Sequence, residues 1–373
     1  MGDSNRRFIC MSFCASFLLV MLFMMYMLGK SSDSLGNATY YATHIDTVMQ
    51  HVWTNVKASY NLPHNKHIDE NFVPAIEVTS CISSHLDNKT FLIEQEQIQI
   101  SRKDSLRKAC NRYHHDTDGP HVPKVPLLVE DYHLAYAQTA KIAGTSWDRV
   151  LLVLSHLANS TNSFSQSKSI DLTKVNIPTL GNYRQADRQV ILRNFTTFMF
   201  SRHPFSRLLS AYNCKVGPDA TEEHIKRGYY DHLRDKILKK HPTTIPGIPD
   251  FHGFVSYILE NDYFSDPHWK ENYKIVAPCD VPYDIVGHFE TLPDDAKYIL
   301  QSVGADCLVE FPSSKGSAAT NSSHDDTLIK YYQTLSKELI ERLYRKYRLD
   351  FLLFGYTFEI TIDGQLMRFP PDS

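Results

Sequence analysis

Two segments of the chain follow one plan, and this repetition limits the fold more than any other feature. Tyr136–Leu154 and Phe195–Lys215 each run from an apolar strand through a tight turn with cationic side chains into an amphipathic helix. A helix N-terminus presents N–H groups and a partial positive charge, so such a turn suits a phosphate or sulfate group. Two such turns predict a ligand that carries anions at two ends.

The first turn carries Lys141 and Gly144 between the strand and the helix. A glycine lets the backbone approach an anion closely. Thr145 and Asp148 have the spacing of a capping box. Apolar residues then recur at the i, i+3, i+4 and i+7 positions of one helical face, and they are Trp147, Val150, Leu151 and Leu154. The pattern predicts that Lys141 lies where the strand ends and the helix begins.

The second turn repeats this arrangement. Residues 196–200 are β-branched or aromatic, as expected of a strand, and Pro204 suits the first turn of a helix. Arg202 lies in the turn itself, whereas Arg207 and Ser210 lie on the predicted helix. The apolar face of that helix consists of Phe205, Leu208, Leu209 and Tyr212.

Strand-turn-helix units with anion sites at the strand ends predict an α/β fold, with a mainly parallel sheet flanked by helices. One such turn with a stray cation is common in any α/β protein, so neither turn is specific alone. Neither turn contains a complete Walker or Rossmann glycine signature, and the first turn lacks the Gly-Lys-Ser/Thr ending of a P-loop kinase. The pair of turns therefore favours an anion clamp over a kinase.

Further motifs follow in the second half of the chain. They read Pro-His-Trp at 267–269, YDIVGHFETL at 283–292, Arg-Leu-Tyr at 342–344 and LDFLLFGY at 349–356. Together with the two turns, these segments resemble the Golgi carbohydrate sulfotransferases of the HNK-1, chondroitin 4-O and dermatan 4-O group. The resemblance covers roughly Leu106 to Tyr356 with order and spacing kept, and it implies the P-loop-like sulfotransferase fold.

The resemblance also implies the sulfate donor 3′-phosphoadenosine 5′-phosphosulfate (PAPS), a sugar hydroxyl as acceptor, and no metal ion. Lys141 matches the cation that stabilises the leaving phosphate. Arg202 and Ser210 match the 3′-phosphate site, with Arg207 assisting. The other residues predicted to bind the donor lie in and after the first turn, and they are Ile142, Ala143, Gly144, Thr145, Ser146, Trp147 and Arg149.

The catalytic base is less sharply indicated. His268 matches a His-Trp pair of the family, and an imidazole accepts a proton near neutral pH. It is the predicted base. Glu290 is the alternative, although its place beside an apolar, strand-like run favours a structural role.

Three residues in the two turns depart from the family pattern. Ala140 replaces a proline, Asp148 lies where the family is usually basic, and His203 lies where a glutamate is common. A carboxylate near an anion site weakens donor binding unless it is turned away or occupied. Altered acceptor choice or reduced activity therefore stays open, as does a catalytically weak glycan-binding relative that assists another Golgi enzyme.

The N-terminus predicts a membrane anchor. The stretch from Phe8 to Leu28 contains no charged residue, and at ~1.5 Å per residue it spans a ~30 Å hydrocarbon core. Arg6 and Arg7 precede it, which favours a cytosolic N-terminus. We expect a tail at 1–7, a signal-anchor at 8–28, a lumenal stem at 29–103 and a catalytic domain at 104–373. This organisation describes a single-pass type II protein of the Golgi membrane, and a cleaved signal peptide is the alternative.

Two features of composition fit a lumenal domain. Of the seven cysteines, Cys10 and Cys14 lie in the predicted span, so an odd number is lumenal and at least one is expected to be free or paired between chains. Glycosylation sequons require a lumenal location for use, and they occur at Asn37, Asn88, Asn159, Asn194 and Asn321.

Charge and local helices complete the expectations. The net charge of −3 argues against nucleic acid as a partner, whereas the basic segment between Gly217 and Pro249 is either a solvated face or a guide for an anionic glycan. We predict helices at Asp104–Tyr113 and Ser336–Arg348. The expected acceptor is N-acetylgalactosamine O-4 of chondroitin or dermatan. Glucuronic acid O-3, as in the HNK-1 type, and an N-glycan sugar stay open, as does a homodimer.

Overall fold

The computed structural model describes residues 89–113, 123, 126–161, 177–220, 228–243, 246–261, 266–312 and 325–370. All of them belong to one compact unit, His67–Ser373. The predicted tail, the anchor at 8–28, the stem up to residue 88 and the sequons at Asn37, Asn88 and Asn321 lie outside the described residues. Within those residues, no helix is both long and apolar enough to span a membrane.

A four-stranded sheet carries the two turns. Its strands are β1 (Leu127–Val129), β2 (Leu134–Ala137), β3 (Thr196–Ser201) and β4 (Ile285–His288), and they are neighbours in that order. β1 pairs antiparallel with β2, whereas β2, β3 and β4 are parallel. The prediction of a mainly parallel sheet is confirmed. Because parallel strands end at the same edge, the turns after β2 and β3 are adjacent.

Ten helices are described, and they surround this sheet and a C-terminal hairpin. The helices are α1 (Lys89–Tyr113), α2 (Gly144–Leu154), α3 (Gln185–Asn194), α4 (Pro204–Lys215), α5 (Tyr229–Lys240), α6 (Phe251–Glu260), α7 (Asn272–Val276), α8 (Leu292–Ser302), α9 (Asp325–Tyr332) and α10 (Lys337–Phe354). The hairpin pairs β5 (Phe358–Ile362) antiparallel with β6 (Gln365–Phe369).

The sheet is buried on both faces, as parallel sheets require. Successive strand residues point to opposite sides, so Tyr136 and Phe198 pack on one face and Ala137 and Met199 on the other. Trp147 from α2 fills the first face, with its ring centroid 4.7 Å from that of Phe198. The predicted apolar face of α2 is therefore the one that covers the sheet.

Helix α1 is longer than the sequence indicated, because it begins at Lys89 and not at Asp104. Its side chains satisfy the backbone of the edge strand β4. Gln99 Oε1 accepts a hydrogen bond from Val286 N at 2.8 Å, and Arg102 donates to Val286 O at 3.0 Å and pairs with Asp295 at 2.8 Å. The predicted boundary at residue 103 falls inside this helix.

Helix α10 also extends beyond its predicted end at Arg348, to Phe354. The extension contains the LDF motif, which packs as expected of a structural segment. Asp350 is buried and accepts hydrogen bonds from Asn272 N and Tyr273 N, both at 2.8 Å. The carboxylate thus caps the first turn of α7, which lies just after the segment with His268.

A disulfide links the end of helix α1 to the loop before strand β4. Cys110 near the end of α1 is bonded to Cys279 in the loop before β4, and Cys307 is also disulfide-bonded. Cys214 is a free thiol on α4. This agrees with the odd number of cysteines expected in the lumen.

Cys279→Ser tests how much this cross-link stabilises the fold. A native disulfide contributes about 2–4 kcal/mol, and each kcal/mol shifts Tm by roughly 2–4 °C in a domain of this size. We expect scanning fluorimetry to show a fall of several degrees. Cys214→Ser, at the free thiol, is the control and should keep the wild-type Tm. An unchanged Tm for Cys279→Ser would contradict the assignment.

Candidate active site

The two predicted turns meet at one edge of the sheet. Arg202, just after β3, donates a hydrogen bond from Nη1 to the carbonyl oxygen of Lys141, just after β2, at 2.8 Å. The register Ala137↔Met199 places the strand ends side by side. The structure therefore brings the two cationic turns into direct contact.

The backbone of the first turn is unusual. Lys141 and Ala143 both have left-handed conformations, with φ of 70° and 54°. For a residue with a Cβ this conformation costs about 1–2 kcal/mol, and such strain concentrates at functional sites. The predicted capping box of Thr145 and Asp148 is wrong, because α2 begins at Gly144 with Ala143 as its N-cap and without a side-chain cap.

Asp148 forms a different contact. Its carboxylate is buried and accepts a hydrogen bond from Gln138 Nε2 at 2.6 Å. A Cβ at Gly144 would lie 2.9 Å from the same Nε2, so the glycine leaves room for this pair. Burial raises the pKa of Asp148 to about 7. The carboxylate that departs from the family pattern is thus occupied and is partly neutral at neutral pH.

The side chain of Lys141 reaches across to α4. Burial lowers its pKa, a hydrogen bond with Cys214 opposes that shift, and the nearby guanidinium groups of Arg202 and Arg207 lower the pKa further. Three cationic side chains therefore lie close together. Such a concentration of positive charge favours an anion as its ligand.

Arg207 is buried, in contrast to the surface position that a helical arginine usually takes. Its guanidinium donates to the carbonyl oxygens of Ala140 at 3.0 Å, Lys270 at 2.6 Å and Pro267 at 3.0 Å. The first turn and the His268 segment are thereby held against α4. Arg207 therefore links two loops through hydrogen bonds to their backbone carbonyls.

The second turn is fixed by aromatic and capping contacts. The Arg202 guanidinium lies over the ring of Phe289, 4.1 Å from its centroid. His203 is the N-cap of α4, and its Nδ1 accepts from Ser206 N at 3.3 Å. Ser210 is buried two turns further along that helix.

Glu290, the alternative base, is engaged in structural contacts. Its Oε1 accepts from His203 N at 2.9 Å, and its Oε2 accepts from the hydroxyl of Tyr356 at 2.8 Å. Glu290 therefore ties the second turn to the end of α10. These contacts agree with the structural role that the sequence favoured.

His268 lies in the same cluster as Lys141. Its Nδ1 is 2.7 Å from Asp266 Oδ1 and 3.0 Å from the hydroxyl of Tyr230. Burial lowers the pKa of His268, the Asp266 carboxylate raises it, and the cations of Lys215 and Lys141 lower it. The net downward shift favours a neutral imidazole, which is the form that accepts a proton.

Sequence reasoning missed four residues of this site, namely Cys214, Lys215, Tyr230 and Asp266. Only Asp266 had a local signal, since it lies two residues before His268. Tyr230 comes from α5, and the Lys215 ammonium lies 5.0 Å from the centroid of its ring. These contacts depend on how the helices pack, which a local pattern does not show.

The remaining predicted residues differ in their surroundings. Ile142, Trp147 and Arg149 are buried, so they support the first turn from within, whereas Thr145 and Ser146 are half-buried at the start of α2. The sequons Asn159 and Asn194 are both exposed. No group of three or more His, Cys, Asp or Glu side chains within the described ranges has an arrangement that could hold a metal ion.

The basic segment has two parts in the structure. Arg234 is buried and donates to the carbonyl oxygens of Val216 and Gly217, and Lys240 pairs with Glu260 at 3.1 Å. Lys236 and Lys239 are exposed on α5. Among the described residues of this segment, Lys236 and Lys239 match the expected glycan-guiding face, and Lys226 and Arg227 lie outside the described residues.

Comparisons with known proteins identify the family of the chain. The pattern of the sulfotransferase family matches residues 127–357. Carbohydrate sulfotransferase 10 of Homo sapiens is 29% identical over 307 residues, which is 79% of this chain and 83% of that relative. Carbohydrate sulfotransferase 11 of Mus musculus is 28% identical over 291 residues, 76% of this chain and 81% of that relative. No solved structure matches the chain significantly.

The chain belongs to the sulfotransferase family, since the family pattern covers more than half of its length. It is a PAPS-dependent O-sulfotransferase, and the two relatives named above are carbohydrate sulfotransferases.

Asp148→Asn should stabilise the protein at neutral pH. The pKa of this carboxyl is raised by burial from 3.8 to about 7, so folding takes up a proton between these values and wild-type stability falls as the pH rises through this window. Asparagine does not titrate and avoids this loss. We expect the Tm of the variant to match wild type near pH 4 and to exceed it by several degrees at pH 8.

Asp326→Asn, at an exposed position on α9, is the control and should show no such pH-dependent gain. A constant Tm difference between Asp148→Asn and wild type from pH 4 to pH 8 would contradict a buried, titrating carboxyl.

Proposed function

We propose that the two turns bind opposite ends of PAPS, with the 5′-phosphosulfate at the first turn and the 3′-phosphate at the second. The hydrogen bond from Arg202 to the Lys141 carbonyl carries this proposal, because it places both cationic turns at one site. The N-terminus of α2 would supply N–H donors at Gly144, Thr145 and Ser146. Arg202 and Ser210 would hold the 3′-phosphate, the group that distinguishes this donor from ATP.

Arg207 takes a different part in the proposal from the one the sequence suggested. Its donors point to three backbone carbonyls, so it supports the 3′-phosphate site by fixing the loops. Trp147 and Arg149 likewise support the first turn from the core. The direct contacts to the donor fall to Lys141, the start of α2, Arg202 and Ser210.

The chemistry needs a base, an in-line approach and charge stabilisation on the leaving group. In our mechanism His268 removes the proton of the sugar hydroxyl as its oxygen bonds to sulfur, and the bond from sulfur to the bridging phosphate oxygen breaks. Lys141 stabilises the negative charge that develops on that oxygen. Preorganised charge of this kind contributes roughly 10²–10³ in rate, and a positioned base 10²–10⁴.

The proposed acceptor is N-acetylgalactosamine O-4 of chondroitin or dermatan. The resemblance of the C-terminal motifs at 342–344 and 349–356 supports this choice. Exposed Lys236 and Lys239 on α5, the helix that supplies Tyr230 beside His268, suit an anionic glycan. Glucuronic acid O-3 and an N-glycan sugar are the alternatives.

We further propose a single-pass type II Golgi membrane protein, anchored by residues 8–28 with its catalytic domain in the lumen. The Cys110–Cys279 disulfide supports an oxidising compartment. Exposed Asn159 and Asn194 leave these two sequons accessible for glycosylation. We also propose that the protein forms a homodimer. Sedimentation would test this by measuring its mass in solution.

Lys141→Ala tests the leaving-group cation. We expect kcat to fall by on the order of 10²–10³-fold, while Tm stays near wild type and the protein is still retained on immobilised 3′,5′-adenosine bisphosphate through Arg202. The measurement is transfer of labelled sulfate. Lys330→Ala, at an exposed position on α9, should keep full activity. An undiminished kcat for Lys141→Ala would refute this role.

The acceptor is tested with labelled PAPS and a panel of desulfated glycans. We expect transfer to chondroitin and dermatan, and disaccharide analysis of the product should place the sulfate on O-4 of N-acetylgalactosamine. Label on glucuronic acid O-3 or on an N-glycan would select an alternative acceptor. No transfer to any glycan, together with no retention on the bisphosphate resin, would overturn the proposed site.

A further inference from the structure

The candidate site contains a buried carboxylate, Asp266, for which the sequence analysis predicted no role. Asp266 has a side chain that is 5% exposed, and its carboxylate accepts several hydrogen bonds. Its Oδ1 lies 2.7 Å from His268 Nδ1 and accepts from His268 N at 2.8 Å, and its Oδ2 accepts from the Tyr230 hydroxyl at 3.2 Å. A buried carboxylate is costly unless bonded in this way.

The contacts determine which imidazole nitrogen carries the proton. A carboxylate only accepts, so its 2.7 Å contact assigns the proton to His268 Nδ1. The lone pair then lies on Nε2. An imidazole held in this form accepts a proton at Nε2, and the adjacent carboxylate stabilises the imidazolium that forms, as an acidic partner does when it orients a catalytic histidine.

The segment that carries the pair is itself held rigid. Trp269 N and Lys270 N donate to the backbone oxygen of Asp266 at 3.1 Å and 2.8 Å. Arg207 holds the carbonyl oxygens of Pro267 and Lys270. His268 therefore lies in a tight turn clamped to α4, with Tyr230 of α5 on its other side.

We propose that Asp266 and Tyr230 are positioning residues that fix the tautomer and orientation of His268, so that Nε2 receives the proton of the acceptor hydroxyl. This inference rests on the proposed role of His268 as the base. Asp266 supplies the charge that stabilises the imidazolium. The Tyr230 hydroxyl closes the network between Oδ2 and Nδ1.

The groups that face His268 set its titration. Asp266 lies on the same turn, Tyr230 comes from α5, Lys215 comes from α4 and Lys141 from the first turn. Tyr229 adds a hydrogen bond to Asp266 from the start of α5. Of these groups, Asp266 is the one whose removal lowers the pKa of His268, because the two lysines already oppose protonation.

The test is a pH–rate profile of full-length protein with labelled PAPS and the best glycan of the panel. Asp266→Asn keeps the size of the side chain and removes its charge. We expect kcat at the plateau to fall by on the order of 10²-fold, the KM for PAPS to stay unchanged, and the acidic limb of the profile to move to lower pH. Activity falls on that limb as His268 becomes protonated, so a lower pKa shifts it in this direction.

Tyr230→Phe removes one hydroxyl and leaves the negative charge of Asp266 in place. We expect a plateau kcat about tenfold lower, as for loss of one hydrogen bond of roughly 1.4 kcal/mol, with the acidic limb near its wild-type position. Asp235→Asn, at an exposed position on α5, is the control and should match wild type. Retention on immobilised bisphosphate reports an intact donor site in every variant.

The outcomes separate this inference from the function on which it rests. If His268→Ala loses activity while Asp266→Asn keeps the wild-type limb and plateau, the positioning role is overturned and the base stands. If His268→Ala retains full activity, the base is wrong and the inference fails with it. If Asp266→Asn does not fold, a wild-type plateau kcat for Tyr230→Phe overturns the network, and a lowered one supports it.

Discussion

The hydrogen bonds of one buried guanidinium, that of Arg207, hold two segments of the candidate active site together. Arg207 is 2% exposed, and its donors bind carbonyl oxygens from two separate segments, Ala140 before the first turn and the 267–270 turn. Hydrogen bonds from a charged donor contribute roughly 1.5–3 kcal/mol each, which offsets much of the desolvation of the cation. Lys141 directly follows Ala140, and His268 lies within the 267–270 turn. The hydrogen bonds of Arg207 therefore help to fix the separation between Lys141 and His268.

The same edge of the sheet is reinforced from a second direction. Asn272 accepts a hydrogen bond from Thr139 Oγ1 at 2.7 Å and donates one to Phe200 O at 3.3 Å, which joins the segment after β2 to strand β3. Asp350 binds the backbone of Asn272 from α10. A group-transfer site needs its residues held to within a fraction of an ångström. Here this rigidity comes from buried polar side chains that form hydrogen bonds with backbone atoms.

The sequence predicts this site unevenly, for physical reasons. The strand, the turn and the helix of each unit follow from local periodicity, so Lys141 and Arg202 could be placed before the structure was known. The cap of α2 could not, because a left-handed Ala143 begins the helix where the pattern favours Thr145. Tyr230 comes from a helix 38 residues away from His268. Contacts of that kind depend on how the helices pack. Of the residues that sequence reasoning missed, only Asp266 had a local signal, because it lies two residues before His268.

The departures from the family pattern also have a physical resolution. An aspartate in α2 threatens an anion site only if it is ionised and faces the ligand. Asp148 is bound to Gln138 in a pocket that Gly144 keeps open, and burial raises its pKa to about 7. At any pH below that value the group is mostly neutral, so it adds little negative charge beside the first turn. His203, another departure from the family pattern, caps α4 by accepting a hydrogen bond from Ser206 N at its Nδ1. Asp148 takes the place of a residue that is usually basic in the family, but Lys141, Arg202 and Arg207 remain close together at this edge of the sheet.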